Sequence, residues 1–320
     1  MRRWLIENFN DAPRLTTCDI ATPKAGEALV RVHACALNFA DLLMAQGKYQ
    51  ETPPTPFVPG LELSGVVTAL GPDTAGPAIG TRVACYAGQG GLADYACLPA
   101  DRLLPLPDVM PFDDAAAFLV AYGTSHLALS HKARLAPGET LLVSGAAGGV
   151  GLTAVELGKR MGARVVATAR GPAKLDIAMQ AGADSVIDSD APDLKQQLRD
   201  LGGIDVAYDA VGGSAFDTAL RAMRPGGRML VIGFASGSVP QIPANHLLVK
   251  NVDVMGFWWG GYLHFAPRLL TDSLATLFDW YQAGGLRPHI SARLPLESLP
   301  EGLEMLRSRK ATGKVVIQIA

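Results

Sequence analysis

The chain is poor in cysteine, sparing with charge and lacks any long uninterrupted apolar run, and each shortage excludes something. Its four cysteines, Cys18, Cys35, Cys85 and Cys97, are widely spaced and form no CxxC pair. That spacing argues against a disulfide framework and a four-cysteine zinc site, and predicts reduced, mostly buried thiols. Charged residues make up 18% of the chain and the formal net charge is −2. The basic residues are scattered, and their densest cluster, Arg307, Arg309 and Lys310, is short. The electrostatic footprint needed for nucleic acid or an anionic membrane is therefore missing. No stretch approaches the roughly 18–20 apolar residues that span a bilayer. Met1 to Phe9 carries two arginines, but no apolar run of signal-peptide length follows. A soluble, cytoplasmic protein without nucleic-acid or membrane partners is expected.

Apolar material is plentiful, at 49% of 320 residues. At roughly 150 residues per domain, the length suggests about two domains. Residues 1 to about 115 read as short strands, among them Ala28–His33, Gly65–Leu70 and Thr81–Tyr86. Pro53, Pro54, Pro56, Pro59 and Gly60 punctuate them, then Gly71, Pro72, Gly76 and Pro77. Dense turn signals between short strands predict a barrel-like all-β unit. The pattern then changes. An alanine-rich helix is expected from Asp113 to Val120, continuing over Thr124–Leu129. Strands at Thr140–Ser144, Arg164–Thr168, Ser185–Ile187, Val206–Asp209 and Arg228–Ile232 alternate with helical spacing at Val150–Met161, Lys174–Gln180, Leu194–Leu201 and Phe216–Met223. Such alternation predicts a doubly wound parallel sheet, because each parallel return needs a crossover. A strand at Val252–Gly256, a helix at Pro267–Ala283, a helix at Ser298–Arg307 and a strand at Lys314–Ile319 complete the chain. Ser298 and Glu301 have capping-box spacing. Returning the last part to the first domain gives a discontinuous substrate domain, 1–117 with 260–320, around a dinucleotide-binding Rossmann domain, 118–259.

The run Ser144-Gly145-Ala146-Ala147-Gly148-Gly149-Val150-Gly151 follows a strand and opens a helix. Glycines there permit a tight turn and a close approach of backbone to a pyrophosphate, and the helix N-terminus offers free N–H groups. Ala146 stands where the usual first glycine would be, so the fingerprint is a variant. NAD binders carry an acid about 20 residues further on, at the ribose 2′-OH. Here Ala169 stands at that place, no acid is near in sequence, and Arg170 and Lys174 follow. Two cations without a carboxylate favour the 2′-phosphate of NADPH, unless both are merely solvated surface groups.

Several ordered motifs extend the reading. Ala36-Leu37-Asn38-Phe39-Ala40-Asp41, Gly47-Lys48-Tyr49, Pro56 through Gly65, Asp209-Ala210-Val211-Gly212-Gly213 and Arg309 through Lys314 occur in order along the chain. With the glycine-rich turn, they make the chain resemble the medium-chain dehydrogenase/reductase superfamily, specifically its zinc-free NADPH:quinone oxidoreductase, or zeta-crystallin-like, branch. The resemblance implies a Rossmann sheet plus a discontinuous, small-chaperonin-like β-barrel substrate domain, and a homodimer joined through edge strands. Zinc alcohol dehydrogenases carry cysteine where this chain has Asn38 and histidine where it has Leu61. Leucine cannot bind zinc and an amide binds it poorly, so no metal is expected.

The resemblance also implies site residues. Thr124, Ala147, Gly148, Gly149 and Val150 would line the pyrophosphate and nicotinamide. Val211, Gly212, Gly233 and Phe234 lie where ligands meet strand ends, Phe257 and Trp258 would approach the nicotinamide, and Lys314 would reach the cofactor from the terminal segment. Without a Lewis acid the small-molecule acceptor must itself be electrophilic, as quinones and α,β-unsaturated carbonyls are. Asn38 and Tyr49 are the candidate catalytic side chains, the first donating to a developing oxyanion and the second supplying a hydrogen bond or proton. Alternatively Asn38 ties a loop and Tyr49 packs as a lid. Asp41 reads as a backbone-ordering residue and Glu62 as a remnant of the metal scaffold. Reduction of a quinone leads; an enoyl-type reductase and an NADPH-binding protein with little turnover are the other readings.

Overall fold

A computed structural model describes every residue from Met1 to Ala320. The chain divides into two compact units, Met1–Val120 with Phe278–Ala320, and Ala121–Leu277. The return to the first unit falls inside the helix Pro267–Gln282 rather than at residue 260. Ser273 on that helix bonds His126 of the second unit at 2.7 Å, while Phe278 and Tyr281 pack on Phe118 of the first.

In the first unit a seven-stranded sheet runs in the order Ile290–Pro295, Lys314–Gln318, Glu27–Leu37, Glu62–Leu70, Arg82–Tyr86, Leu104–Pro105, and Tyr95–Pro99 pairs with Glu27–Leu37 off this path. The long strand is the hub. Ala34–Leu37 pair with Lys314–Gln318, Glu27–Arg31 with Tyr95–Pro99, and most of its length with Glu62–Leu70. The pairing with Glu62–Leu70 skips Thr68 of that strand at Leu29/Val30 and His33 of the hub at Val32/Ala34, irregularities of the kind that bend a strand. Inward residues such as Val30, Val32, Leu63, Val67, Val83, Val315 and Ile317 form the core. Each such side chain withdrawn from water contributes about 1.5–3 kcal/mol.

The helix expected over 113–120 is broken. Phe112–Ala116 and Leu119–Leu127 are separate helices, and Phe118 at the break stacks on Phe278 and meets Tyr281 edge-on. The capping box at Ser298 is absent as well. A 3-10 turn, Leu296–Ser298, runs straight into the helix Leu299–Arg307, so Ser298 has φ −89° and ψ 17° and makes no side-chain cap. A capping hydroxyl needs the extended backbone that this turn denies it.

The second unit holds six parallel strands: Thr140–Ser144, Arg164–Ala169, Ser185–Asp188, Ile204–Asp209, Met223–Val231 and Asp253–Gly256. Their spatial order is third, second, first, fourth, fifth, sixth. The order reverses between the first and fourth strands, which is the switch point where such sheets bind ligands. Register aligns the C-terminal ends: Asp188 pairs with Ala169, Thr168 with Ser144, Ser144 with Asp209, Asp209 with Val231, and Val231 with Gly256. The loops that follow these residues therefore share one edge. No helix is long and apolar enough to cross a membrane. All four cysteines are free; Cys35 and Cys85 are buried and Cys18 and Cys97 half-buried.

Candidate active site

At the switch point the first strand ends at Ser144 and turns through Gly145, whose φ is +70°. Gly148 is the N-cap of the helix Gly149–Arg160, and no side chain caps its first turn. The Gly148 N–H bonds Gly145 O at 3.0 Å, and the N–H groups of the first turn that follows have no side-chain cap, as an anion-binding helix start requires. A Cβ on Gly151 would lie 2.2 Å from the Gly145 carbonyl oxygen, so only glycine lets the helix sit this close to the turn. Ala146 and Ala147 are buried beneath it.

A set of buried polar groups holds this turn. Ser125 Oγ donates to Val150 O at 2.9 Å and lies 2.8 Å from Thr153 Oγ1 and 3.1 Å from Tyr208 Oη. Thr153 donates in turn to Ala121 O at 3.0 Å. The helix carrying the buried Thr124 is thus fastened to the glycine-rich helix. Asp209 ends the fourth strand and accepts from Gly212 N–H at 2.8 Å and Val211 N–H at 3.4 Å. Burial pushes its carboxyl above the usual range, while these N–H groups and the Ser144 hydroxyl pull the other way. The loop after the fifth strand is tied to its neighbour by Ala235 N–H to Ala210 O at 3.1 Å and Ser236 N–H to Val211 O at 2.8 Å. Val211, Gly212, Gly233 and Phe234 therefore form one connected rim, with the Phe234 ring exposed. After the sixth strand Phe257 is buried against Tyr262, and Trp258 is half-buried with its indole N–H unpartnered. Sequence reasoning singled out none of Ser125, Thr153 and Tyr208; isolated hydroxyls give no local signal.

At the end of the second strand the sequence shows no acid, but the structure supplies one. Arg170 Nε lies 2.7 Å from Asp190 Oδ2. Asp190 follows the third strand, whose register sets Asp188 beside Ala169. Lys174 is on the adjacent helix Pro172–Gln180 and is half-buried.

In the first unit Asn38, Asp41, Glu62 and Lys314 form a buried cluster. Lys314 Nζ lies 2.7 Å from Glu62 Oε1 and 2.7 Å from Asn38 Oδ1. Asn38 Nδ2 donates to Glu62 Oε1 at 3.0 Å and to Ala36 O at 3.4 Å. An ammonium only donates, so the amide oxygen must face Lys314 and the amide nitrogen the carboxylate. Glu62 Oε2 accepts the Val120 N–H at 2.9 Å. The Lys314 ammonium, expected at the cofactor, therefore has its bonds inside this cluster, and Glu62 is its counter-ion. Asp41 accepts from the N–H groups of Asn38 at 2.8 Å and Gly60 at 3.1 Å, ordering the backbone as its motif position suggests. Burial pushes its carboxyl up to about 7 against those bonds and the nearby Lys314 charge. Tyr49 is half-buried, and its backbone N–H and carbonyl both bond Thr52 Oγ1, at 3.1 and 2.9 Å. Its phenol acts electrostatically on Tyr86, whose own hydroxyl is pushed up chiefly by burial.

The cluster does not fit zinc. Leu61 is a buried hydrocarbon, Glu62 is held by Lys314 and a backbone N–H, and nowhere do three His, Cys, Asp or Glu side chains gather. Cys35 is buried close by, and burial pushes its thiol well above the usual range. A thiolate ligand is therefore disfavoured there.

A doubly wound unit with a glycine-rich turn, together with a β-rich unit holding a charged buried cluster, defines a two-unit dehydrogenase/reductase. Residues 24–108 match the alcohol dehydrogenase GroES-like domain and residues 149–276 the zinc-binding dehydrogenase family. The quinone oxidoreductase-like protein 2 homolog of Nematostella vectensis is 41% identical over 95% of this chain and 86% of its own length. The quinone oxidoreductase of Thermus thermophilus, solved also with NADPH, has a TM-score of 0.88 at 33% identity, covering 99% of this chain and 100% of that one. The Escherichia coli quinone oxidoreductase complexed with NADPH has a TM-score of 0.93 at 26% identity, with the same coverage. The chain belongs to the medium-chain dehydrogenase/reductase superfamily of oxidoreductases.

Proposed function

We propose that the protein is an NADPH-dependent reductase of quinones that works without a bound metal. The observation that carries this is that Asn38 and Leu61 stand where zinc relatives carry their ligands, while the neighbouring Glu62 is already engaged by Lys314 and the Val120 N–H. A side chain already neutralises the buried carboxylate, and no ligand set remains for zinc. NADPH, when bound, supplies the hydride. The N–H groups of Gly149 and Val150 and the turn at Ala147 and Gly148 receive its pyrophosphate, beside Thr124. Arg170 and Lys174 take the 2′-phosphate. The rim of Val211, Gly212, Gly233 and Phe234, with Phe257 and Trp258, lines the remainder. The glycine cradle that a Cβ on Gly151 would close supports this placement, and the NADPH complexes of two relatives support the choice of cofactor.

Lacking a Lewis acid, the protein takes an acceptor that delocalises the added charge itself. Of the two Asn38 amide hydrogens, the one on the 3.4 Å bond to Ala36 is the more weakly held and turns to a developing oxyanion. Tyr49 supplies the proton to the reduced oxygen. The strand Asp253–Gly256 lies at a sheet edge, and Leu248 and Val249 on the helix just before it are 80% and 79% exposed, which supports a homodimer closed over this edge. The test is an acceptor panel followed by loss of NADPH absorbance: 1,4-benzoquinone, 9,10-phenanthrenequinone, crotonaldehyde, acrylate, crotonyl thioester and a saturated aldehyde. Quinones turned over fastest are the expected result. Preference for crotonaldehyde or the thioester would make it an enoyl-type reductase, and binding without oxidation by any acceptor would deny it a catalytic role.

A further inference from the structure

The Arg170–Asp190 pair is a fork. Arg170 Nε lies 2.7 Å from one Asp190 oxygen and its terminal nitrogen 3.2 Å from the other. The carboxylate is held in place from behind. Asp188, the last residue of the third strand, accepts the Asp190 N–H at 2.9 Å on one oxygen and the Gly171 N–H at 3.2 Å on the other. Ser189 N–H bonds Ala169 O at 3.0 Å, so the loop bearing Asp190 is bound to the end of the strand bearing Arg170. Both ionised side chains remain largely in water, 67% and 59% exposed. In doubly wound sheets this strand end is where the adenosine ribose is read.

We infer that Asp190 is a specificity-determining residue, an internal competitor for the Arg170 guanidinium that limits preference for the 2′-phosphorylated dinucleotide. The inference rests on the reading of Arg170 as the phosphate partner. A phosphate presents the same pair of oxygens to the arginine fork that the carboxylate now occupies. Ligand and side chain therefore contend for one set of N–H groups, and the displaced carboxylate stays beside a like-charged phosphate. An unphosphorylated ribose meets neither obstacle and leaves the pair intact. Asp190 thus penalises the phosphorylated cofactor selectively, while Arg170 favours it. The site is a balanced one, less discriminating than its arginine alone would make it.

The test is the dissociation constants of NADP⁺ and NAD⁺, measured by calorimetry for four proteins: the parent, Asp190→Asn, Arg170→Ala and the double variant. Both positions are exposed, so each variant is expected to fold, which circular dichroism checks. In Asp190→Asn the preference for NADP⁺ should rise about three- to ten-fold, the range expected for an exposed charge pair plus one nearby repulsion. The gain should come from tighter NADP⁺ binding and shrink at high salt. In the double variant most of the gain should vanish, because the competition acts through Arg170. A preference unmoved by Asp190→Asn, or a gain kept in full without Arg170, overturns the inference. If Arg170→Ala leaves the preference unchanged, the phosphate reading has failed first and the inference falls with it. If Arg170→Ala lowers it but Asp190→Asn does nothing, only the inference fails.

Discussion

The Lys314 ammonium sits 2.7 Å from a carboxylate oxygen of Glu62, with side-chain exposures of 6% and 0%. Removing one partner from such a pair leaves an uncompensated buried charge and costs about 3–5 kcal/mol, while removing both charges together is far milder. Lys314→Met is therefore expected to lower the thermal midpoint strongly, and Lys314→Met combined with Glu62→Gln to recover most of the loss. Differential scanning calorimetry of the parent and both variants reads this directly; equal losses would mean the pair is not a functioning ion pair.

Asp41 gives stability a pH slope of known sign. Its carboxyl is raised from an ordinary 3.8 to about 7 in the fold. A raised acid binds its proton more tightly when folded, so its contribution is complete below about pH 4 and is lost as pH climbs through about 7. Asp41→Asn has no such titration. The parent's thermal midpoint relative to that of Asp41→Asn should therefore fall between pH 4 and pH 8. A constant difference across that range would show that Asp41 stays ionised throughout.

Gly151→Ala tests the glycine cradle. The added methyl would meet the Gly145 oxygen at 2.2 Å, and backbone cannot yield as a side chain does. Overpacking of this kind costs about 1–3 kcal/mol. The turn should also open enough to weaken NADPH binding at least about ten-fold, given how steeply such contacts depend on position. Fluorescence titration with NADPH measures the loss; unchanged affinity would place the pyrophosphate elsewhere.

This cradle was legible in the sequence because its logic is local: strand, glycines and helix follow one another, and Gly151 is required by an oxygen six residues earlier. The proposed roles of Asn38 and Tyr49 rest on motif resemblance, since no local spacing points to them. The Lys314 bond to Glu62 spans 252 residues and depends on a terminal strand pairing with the hub strand, which no spacing reveals. Asp190 was missed for the same reason, since its nearness to Arg170 comes from sheet register. Ser298 fails in the opposite direction. Its spacing is right for a cap, and the preceding 3-10 turn gives it the wrong backbone.

Tyr49→Phe separates the proton donor from a packing aromatic. A general acid is worth roughly 10²–10⁴-fold in rate. With a quinone acceptor, kcat should drop by about that order while KM changes little, and the pH dependence of kcat should flatten. A rise in KM alone would mean that the ring only lines the site.

The most direct test is quinone turnover in a sample whose metal content is measured at the same time. The protein is dialysed against a strong chelator, analysed by plasma mass spectrometry and assayed with NADPH and 1,4-benzoquinone. Undiminished turnover with zinc far below one ion per chain is expected, because Leu61 and Asn38 offer no zinc ligands and Glu62 is already paired with Lys314. Stoichiometric zinc before dialysis, with activity lost on its removal and restored on its return, would contradict it.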